Sequence, residues 1–269
     1  MFEKVNPSHP DKVADRIAGA LVDLAYNKAE NPKIACEVLL GHGKAFVVLE
    51  TDTHLEENEI KGVVERIAGV INTQTVQVPQ DKILNDNQSA GLRCGDNGIF
   101  KGVPINKEEK ELARLVRKEY ESLQADGKWI INGEDLIICQ SKVSSDQMIL
   151  KYPQAMVNPI GDWDGGIDVD AGATNRKLGS DMGRAVSGGG LHGKDLSKAD
   201  VSINIFCHIL AQKIQEEVIA YCAIGGTDFR IKKGPQDWEN VSFEKAVMTA
   251  RKYIEEQGGF ERFAEWGLI

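Results

Sequence analysis

The chain has 269 residues, 42% of them hydrophobic and 27% charged, enough for one large core or two smaller ones and too apolar for a disordered or fibrous protein. Its 32 Lys and Arg against 41 Asp and Glu give a formal charge of −9, with no long basic block that would serve as a footprint for nucleic acid. The opening residues carry no apolar core of signal-peptide length, and no stretch approaches the ~20 apolar residues of a membrane span, so a cytoplasmic protein without a membrane partner is expected.

From Pro10 to Lys28 the residues Val13, Ile17, Leu21, Leu24 and Ala25 recur at helical spacing, which predicts an amphipathic helix. Ser8 is its predicted cap, with Pro10 in the first turn and Asp11 in capping-box register. Two β-rich runs, Lys33 to Leu40 and Lys44 to Thr51, flank Gly41-His42-Gly43 as a hairpin. A helix over Glu56–Asn72 and a strand near Thr75–Ile83 follow, then a polar loop from Asn85 into Cys94-Gly95-Asp96-Asn97-Gly98. A charged helix is predicted over Lys107–Leu123, and a hairpin from Lys128–Ile131 and Asp135–Cys139. Residues 158–200 hold ten Gly, seven Asp, no Glu and five Lys or Arg, a composition of an ordered functional loop rather than a long helix or strand. Helix Leu196–Lys213, strands Val218–Ala223 and Phe229–Ile231, and helix Phe243–Gln257 close a mixed α/β or α+β pattern. The strand candidates around Cys36, Cys139 and Cys222 give a faint signal of an internal repeat.

The five cysteines and five histidines are scattered, with no C-x-x-C pair and no metal-ligand spacing, so reduced thiols are expected and any metal chemistry must rest on carboxylates, which suit magnesium. Three clusters carry the chemistry. Ser8-His9-Pro10-Asp11-Lys12 places a histidine, an acid and an amine at a helix start, where backbone N–H groups and the dipole attract phosphate. A plain helix cap explains those five residues equally well. Gly95-Asp96-Asn97-Gly98 presents one carboxylate between glycines, as an ordinary turn would. The third cluster runs through Asp170, Arg176-Lys177, Gly188-Gly189-Gly190 and Gly193-Lys194-Asp195 to Asp200: glycines to wrap phosphate, cations to match its charge and acids to hold metal. A solvated loop of mixed charge is its plain alternative, against which the absence of glutamate counts. Glu37 and Glu50 lie on apolar strands, the usual place of a solvent-facing residue, Glu50 at a strand end where a site could lie.

Taken in order, these segments resemble the S-adenosylmethionine synthetase, or methionine adenosyltransferase, family. His9-Pro10-Asp11-Lys12-Val13-Ala14-Asp15 is similar to the family's Gly-His-Pro-Asp-Lys-[Ile/Val]-Ala-Asp signature, with Ser8 in place of glycine. The likeness continues through Ala35-Cys36-Glu37, Glu50-Thr51, Gly95-Asp96-Asn97-Gly98, Asp170, Arg176-Lys177, Gly188-Gly189-Gly190, Gly193-Lys194-Asp195, Ser197-Lys198-Ala199-Asp200 and Ala223-Ile224-Gly225. The resemblance implies an α+β fold of three sheet-plus-helix parts with pseudo-threefold internal symmetry, here divided as residues 1–102, a shortened 103–157 and 158–269. It implies a homodimer or dimer of dimers with sites between subunits, and a transferase in which the methionine sulfur attacks C5′ of ATP. The expelled triphosphate is then split into phosphate and pyrophosphate, with two magnesium ions and potassium assisting.

By the same resemblance, His9 contacts the triphosphate and the leaving oxygen, Asp11 and Asp200 hold magnesium, and Glu37 holds potassium. Glu50, Gln88 and Lys198 face methionine, with Asp170 near methionine and ribose. Arg176, Lys177 and Lys194 neutralise phosphate oxygens, Lys12 and Asp96 join the same catalytic pocket as His9 and Lys194, and Trp163 stacks on adenine. The chain departs from the family in length, by about a hundred residues. The mobile loop is expected to be nearly absent between Asn87 and Gly95, and the strand with an Asp-Ala-Lys triplet is expected to be missing between Leu123 and Asp126. A magnesium-dependent tripolyphosphatase or ATP-hydrolysing relative, and a non-catalytic nucleotide-binding homologue, are the alternatives that share this site.

Overall fold

The computed structural model describes residues 1–269. In chain order it runs β1 (Phe2–Val5), α1 (Pro10–Lys28), β2 (Ile34–Gly41), β3 (Lys44–Thr51), α2 (Glu57–Ala68), β4 (Asn72–Val78), α3 (Lys82–Ser89) and β5 (Gly98–Gly102). The middle is α4 (Lys107–Ser122), β6 (Gly127–Asn132), β7 (Asp135–Gln140), α5 (Ser145–Lys151) and β8 (Met156–Val157). The remainder is β9 (Ala171–Ala173), α6 (Leu178–Met182), α7 (Ala199–Ile214), β10 (Val218–Cys222), β11 (Asp228–Lys233), β12 (Glu239–Ser242), α8 (Phe243–Gln257) and α9 (Phe260–Trp266). No helix is long and apolar enough to cross a membrane.

The class is mixed α/β with three four-stranded sheets, ordered β1-β6-β7-β8, β12-β11-β10-β5 and β4-β3-β2-β9. Each is built on one antiparallel hairpin, β2–β3, β6–β7 or β10–β11, preceded by a helix and followed by one, directly in the first two and after β12 in the third. In every sheet the first hairpin strand accepts an antiparallel strand from a distant segment: β9 beside β2, β1 beside β6, β5 beside β10. This threefold repeat is one of arrangement. Cysteine does not mark it, because Cys36 and Cys222 lie on first hairpin strands and Cys139 on a second one.

Burial follows the alternation of each strand. Ile34, Cys36, Val38 and Leu40 of β2 pack under α1, whose Ile17, Leu21 and Ala25 are fully buried, in a core shared with α7 and α8. A smaller core of Phe2, Leu112, Val116, Ile138 and Tyr152 surrounds Trp129, which meets Tyr152 edge-on at 5.1 Å between ring centroids. The opposite face of β4-β3-β2 carries exposed Leu39, Phe46, Val76 and Val78.

The structure corrects two local expectations. His9, rather than Ser8, caps α1: its Nδ1 accepts the Asp11 N–H at 3.2 Å, while the Ser8 hydroxyl pairs with Tyr120. The polar stretch from Asn85 is part of α3, a helix made possible by Asp81, whose carboxylate accepts the N–H groups of Ile83 and Leu84.

β9 meets the first turn of α1 so closely that a Cβ on Gly172 would stand 2.1 Å from the Pro10 carbonyl carbon and oxygen. Backbone cannot yield as a side chain does, so Gly172→Ala is expected to cost about 3 kcal/mol, the upper end of ordinary overpacking. Thermal denaturation of the variant would show it as a clearly lowered midpoint, and an unchanged midpoint would mean that the two segments are not locked together.

Candidate active site

α1 presents its unpaired N-terminal N–H groups beside β9, and Asp11 joins the two. Its Oδ1 accepts the Ala173 N–H at 2.9 Å and lies 3.6 Å from the Arg176 guanidinium, and its Oδ2 accepts the Lys177 ammonium at 2.7 Å. Burial alone would raise the Asp11 pKa, but Lys177 and the Ala173 N–H outweigh it and hold the carboxyl below its ordinary value. Arg176 stays exposed and Lys177 is partly so.

His9 stands beside this pair. Burial, reinforced by the Lys177 charge, lowers its pKa to about 4. With Nδ1 accepting the Asp11 N–H, the neutral ring carries its proton on Nε2, as assigned from the hydrogen bond. His9 is thus a neutral donor at a helix start among Asp11, Lys177, Asp170 and Lys128.

A second pairing lies at the start of α7, where the Lys194 ammonium donates to Asp200 Oδ2 at 3.2 Å. A Cβ on Gly189 would overlap the Asp200 carboxylate, so the glycine run lies directly against that acid. Backbone register ties this segment to the sheet: Ala35 of β2 faces Glu50 of β3 on one side and bridges to Lys194 on the other. Glu50, Lys194 and, two residues along β2, Glu37 therefore share the exposed face. Glu37 is exposed and accepts the Thr174 hydroxyl just past β9.

The other predicted residues fall into place unevenly. Asp96 is exposed at the turn into β5, with its carbonyl accepting the Cys222 thiol at 3.2 Å. Gln88 donates from Nε2 to Ser197 Oγ at 2.9 Å, next to Lys198, the residue preceding α7. Asp170 is exposed and accepts the Ala171 N–H. Trp163 is half-buried, donating to Asn158 Oδ1 at 3.3 Å. Lys12 is not brought to the exposed face. It is 0% exposed and donates to both Asp181 oxygens at 2.8 and 3.0 Å, in a sealed cluster with Asp15 and His192.

Two residues had no place in the sequence reading. They are Asp126 and Lys128: Asp126-Gly127-Lys128 leads into β6, the strand the sequence predicts from Lys128, and is not counted among the predicted site residues. A Cβ on Gly127 would stand 2.2 Å from the Gln140 amide oxygen, which accounts for glycine there. Burial, with the like charges of Asp170 and Asp11, pushes the Asp126 carboxyl up to about 6, although it accepts the Gly166 N–H. Asp15, Asp181 and His192 offer ligand atoms within 4.8 Å of one another, but the Lys12 ammonium already supplies the positive charge there. Hard oxygen donors are offered instead by Asp11 and Asp200, each at a helix start beside a lysine, a donor type that suits magnesium.

Comparison with known proteins places this arrangement. Residues 1–87 match the family model described as S-adenosylmethionine synthetase, N-terminal domain. The S-adenosylmethionine synthases of Helicobacter pylori and Sulfurovum sp. are 26% and 27% identical over 277 and 279 residues, covering 79% of this chain and 72% of each relative. The solved structure of an unusual S-adenosylmethionine synthetase from Campylobacter jejuni matches 100% of this chain and 95% of that one with a TM-score of 0.76. At 18% identity that likeness concerns the fold. The N-terminal match, these relatives and the ordered signatures agree in making the chain similar to S-adenosylmethionine synthetases, with residues 1–87 matching the N-terminal domain of that family.

Proposed function

We propose that the protein is a methionine adenosyltransferase, forming S-adenosylmethionine from ATP and methionine with release of phosphate and pyrophosphate. The observation that carries this reading is the pairing of two acids at helix starts with lysines that reach solvent, Asp11 with Lys177 beside a neutral His9, and Asp200 with Lys194 at the start of α7. In such pairs each charge is satisfied without ligand and is free to change partners when a triphosphate arrives. Lys177, Arg176 and Lys194 then turn to phosphate oxygens, which frees Asp11 and Asp200, the residues that would hold magnesium. Bound magnesium would neutralise the triphosphate as it leaves, and Glu37, exposed with one oxygen held by Thr174, would hold potassium.

His9 acts by donating its Nε2–H toward the oxygen that leaves C5′, without changing charge. Its hydrogen bond to the Asp11 N–H fixes the ring, so little reorientation is needed as negative charge develops. Glu50 and Lys198 would orient the amino acid so that its sulfur attacks C5′ from the side opposite the leaving oxygen, with Gln88 and Asp170 nearby and Trp163 against adenine. Asp96 would join the same pocket. The exposed apolar residues Leu39, Phe46, Val76 and Val78 surround Glu37 and Glu50 on that face, and a homodimer formed through it would bury them and exclude water from the site.

The test is purified protein with ATP, methionine, magnesium and potassium, following S-adenosylmethionine by mass spectrometry and phosphate release with and without methionine. Product with matching phosphate is expected. Phosphate release that does not need methionine, with no product, would make the protein a hydrolase, and neither activity would leave a binding role. Lys194→Ala is expected to lower kcat/KM by about a hundredfold or more, the usual loss for one preorganised charge on a leaving group, and unchanged turnover would remove Lys194 from the mechanism.

The His9 pKa gives a pH prediction. Its folded value, about 4, lies below the ~6.5 of an unfolded histidine, so protons bind the unfolded chain more tightly. The stability contributed is complete above about pH 6.5 and is lost as pH falls toward 4, at up to ~1.4 kcal/mol per pH unit. Urea denaturation between pH 7 and 4.5 is expected to show a steeper decline for the native chain than for His9→Gln; equal slopes would mean that His9 is protonated in the folded protein.

A further inference from the structure

We propose that the groove between α7 and α8 binds a small organic acid, with its carboxylate held by His208 and Lys245 and its apolar body laid over Met248 and Ile209. The groove measures about 650 Å3. His208 lies about two helical turns along α7 from Asp200, so this groove stands apart from the site of the proposed function and does not rest on that reading.

A chain of hydrogen bonds fixes what His208 offers. The connection between β5 and α4 orients the Gln212 amide: its Oε1 accepts the Ile105 N–H and its Nε2 donates to the Val103 carbonyl, each at 3.0 Å. The amide nitrogen 3.4 Å from His208 Nδ1 is therefore the donor of that pair, and Nδ1 accepts. Burial, opposed by the Glu109 charge, lowers the His208 pKa to about 4, so the ring is neutral and its one N–H proton sits on Nε2. His208 is 7% exposed, yet that Nε2–H meets no acceptor in the protein and is not sealed from the groove that the ring lines. Buried polar side chains seldom leave a donor unused, and an acceptor arriving along the groove would satisfy this one.

The neighbouring side chains say which acceptor. Lys245 has no acidic partner, and Lys252 approaches Glu256 only to 3.8 Å. The groove thus carries one cation in excess, in a chain with nine more acids than bases. Thr249 adds no donor, because its hydroxyl is given back to the Lys245 carbonyl at 2.7 Å. Met248 is 58% exposed, and beside it Ile209 and the Tyr253 ring, which meets His208 edge-on at 6.4 Å between centroids, make an apolar wall. A carboxylate answers both the ammonium and the neutral N–H, and an apolar body covers the wall. The volume falls within the ordinary range of small-molecule sites, and a single excess cation suits a monocarboxylate rather than a polyphosphate.

The test is isothermal titration of the whole protein, without ATP or methionine, with sodium 3-phenylpropionate and with sodium octanoate. Sodium chloride of equal ionic strength and 3-phenylpropanol, which has the body without the charge, are the controls. One site is expected for an acid and much weaker uptake of the alcohol. Affinity is expected to fall about tenfold or more in His208→Phe, which keeps the bulk of the ring but not its donor, and in Lys245→Gln. Thermal midpoints would confirm that both variants are folded, and the exposed Lys245→Gln keeps the test open should His208→Phe not fold. The tighter acid shows whether the groove takes an aromatic or an aliphatic body. No uptake of either acid, equal uptake of the alcohol, or affinity that survives both substitutions overturns the proposal, as does uptake lost in Lys177→Gln, which would place the acid on the open face. Both groove variants are expected to keep the basal synthesis rate, so the synthesis assay and this titration fail independently.

Discussion

The site depends on one match of spacing between a helix and an extended segment. The Ala173 N–H donates to Asp11 Oδ1 at 2.9 Å and the Asn175 N–H to Asp15 Oδ1 at 2.8 Å. Two residues of extended chain span ~6.6 Å and four residues of helix ~6 Å, so alternate amides fall in phase with acids one turn apart. Gly172 lets the segments approach. Asn175 then takes a left-handed conformation at φ 60°, which asparagine tolerates better than most residues. Its side chain exchanges hydrogen bonds with the His192 backbone. That turn directs Arg176 and Lys177 back toward Asp11.

Two kinds of ion pair result, and their difference separates scaffold from site. Asp11 and Lys12 are adjacent, and adjacent helical positions lie ~100° apart at 3.6 residues per turn, so the two point to different surroundings. Lys12 turns inward, 3.3 Å from Asp15 and 2.8 Å from Asp181. Burial works against charge on Asp181, yet Lys12 and His192 hold its carboxyl well below the ordinary range. Asp15 goes the other way: burial outweighs His192 and Lys12 and raises it. Removing one partner there would strand a buried charge, at a cost of about 3–5 kcal/mol. Lys177 and Lys194 reach solvent, so these cations can leave their acids without being stranded in the interior.

Long periodic elements were legible from sequence because burial imposes their period. Pro10–Lys28 and Phe243–Gln257 have the boundaries their apolar spacing predicts, and the β2–β3 hairpin differs by one residue at two of its ends. Short borrowed strands were not legible. β1 contains Lys4, which reads as solvent-facing but is 0% exposed, its ammonium satisfied by the carbonyls of Ser180, Trp266 and Ile269. β9 is Ala-Gly-Ala, with no pattern to see, because its role is close approach. Asp126 and Lys128 escaped for a related reason: glycine between them is dictated by Gln140, a neighbour across the hairpin. Signature motifs located the acids and cations, but only the helix geometry separates Asp11 from Lys12.

The repeat explains how a shortened chain can keep a site. His9 and Asp11 begin one pre-hairpin helix and Asp200 begins another, Glu37 and Glu50 lie on a hairpin, and Lys177 follows a borrowed strand. All of these positions are held by ladders, caps or buried charge pairs, whereas length is removed most cheaply from the connections. On the proposed reading, what the loop expected to be missing between Asn87 and Gly95 would supply is cover. An open site leaves developing charge in water, where each fixed donor is worth far less than in a dry enclosure. On the proposed reading that cover has to come from outside the chain, and the exposed Leu39, Phe46, Val76 and Val78 beside Glu37 and Glu50 are where a second copy would provide it.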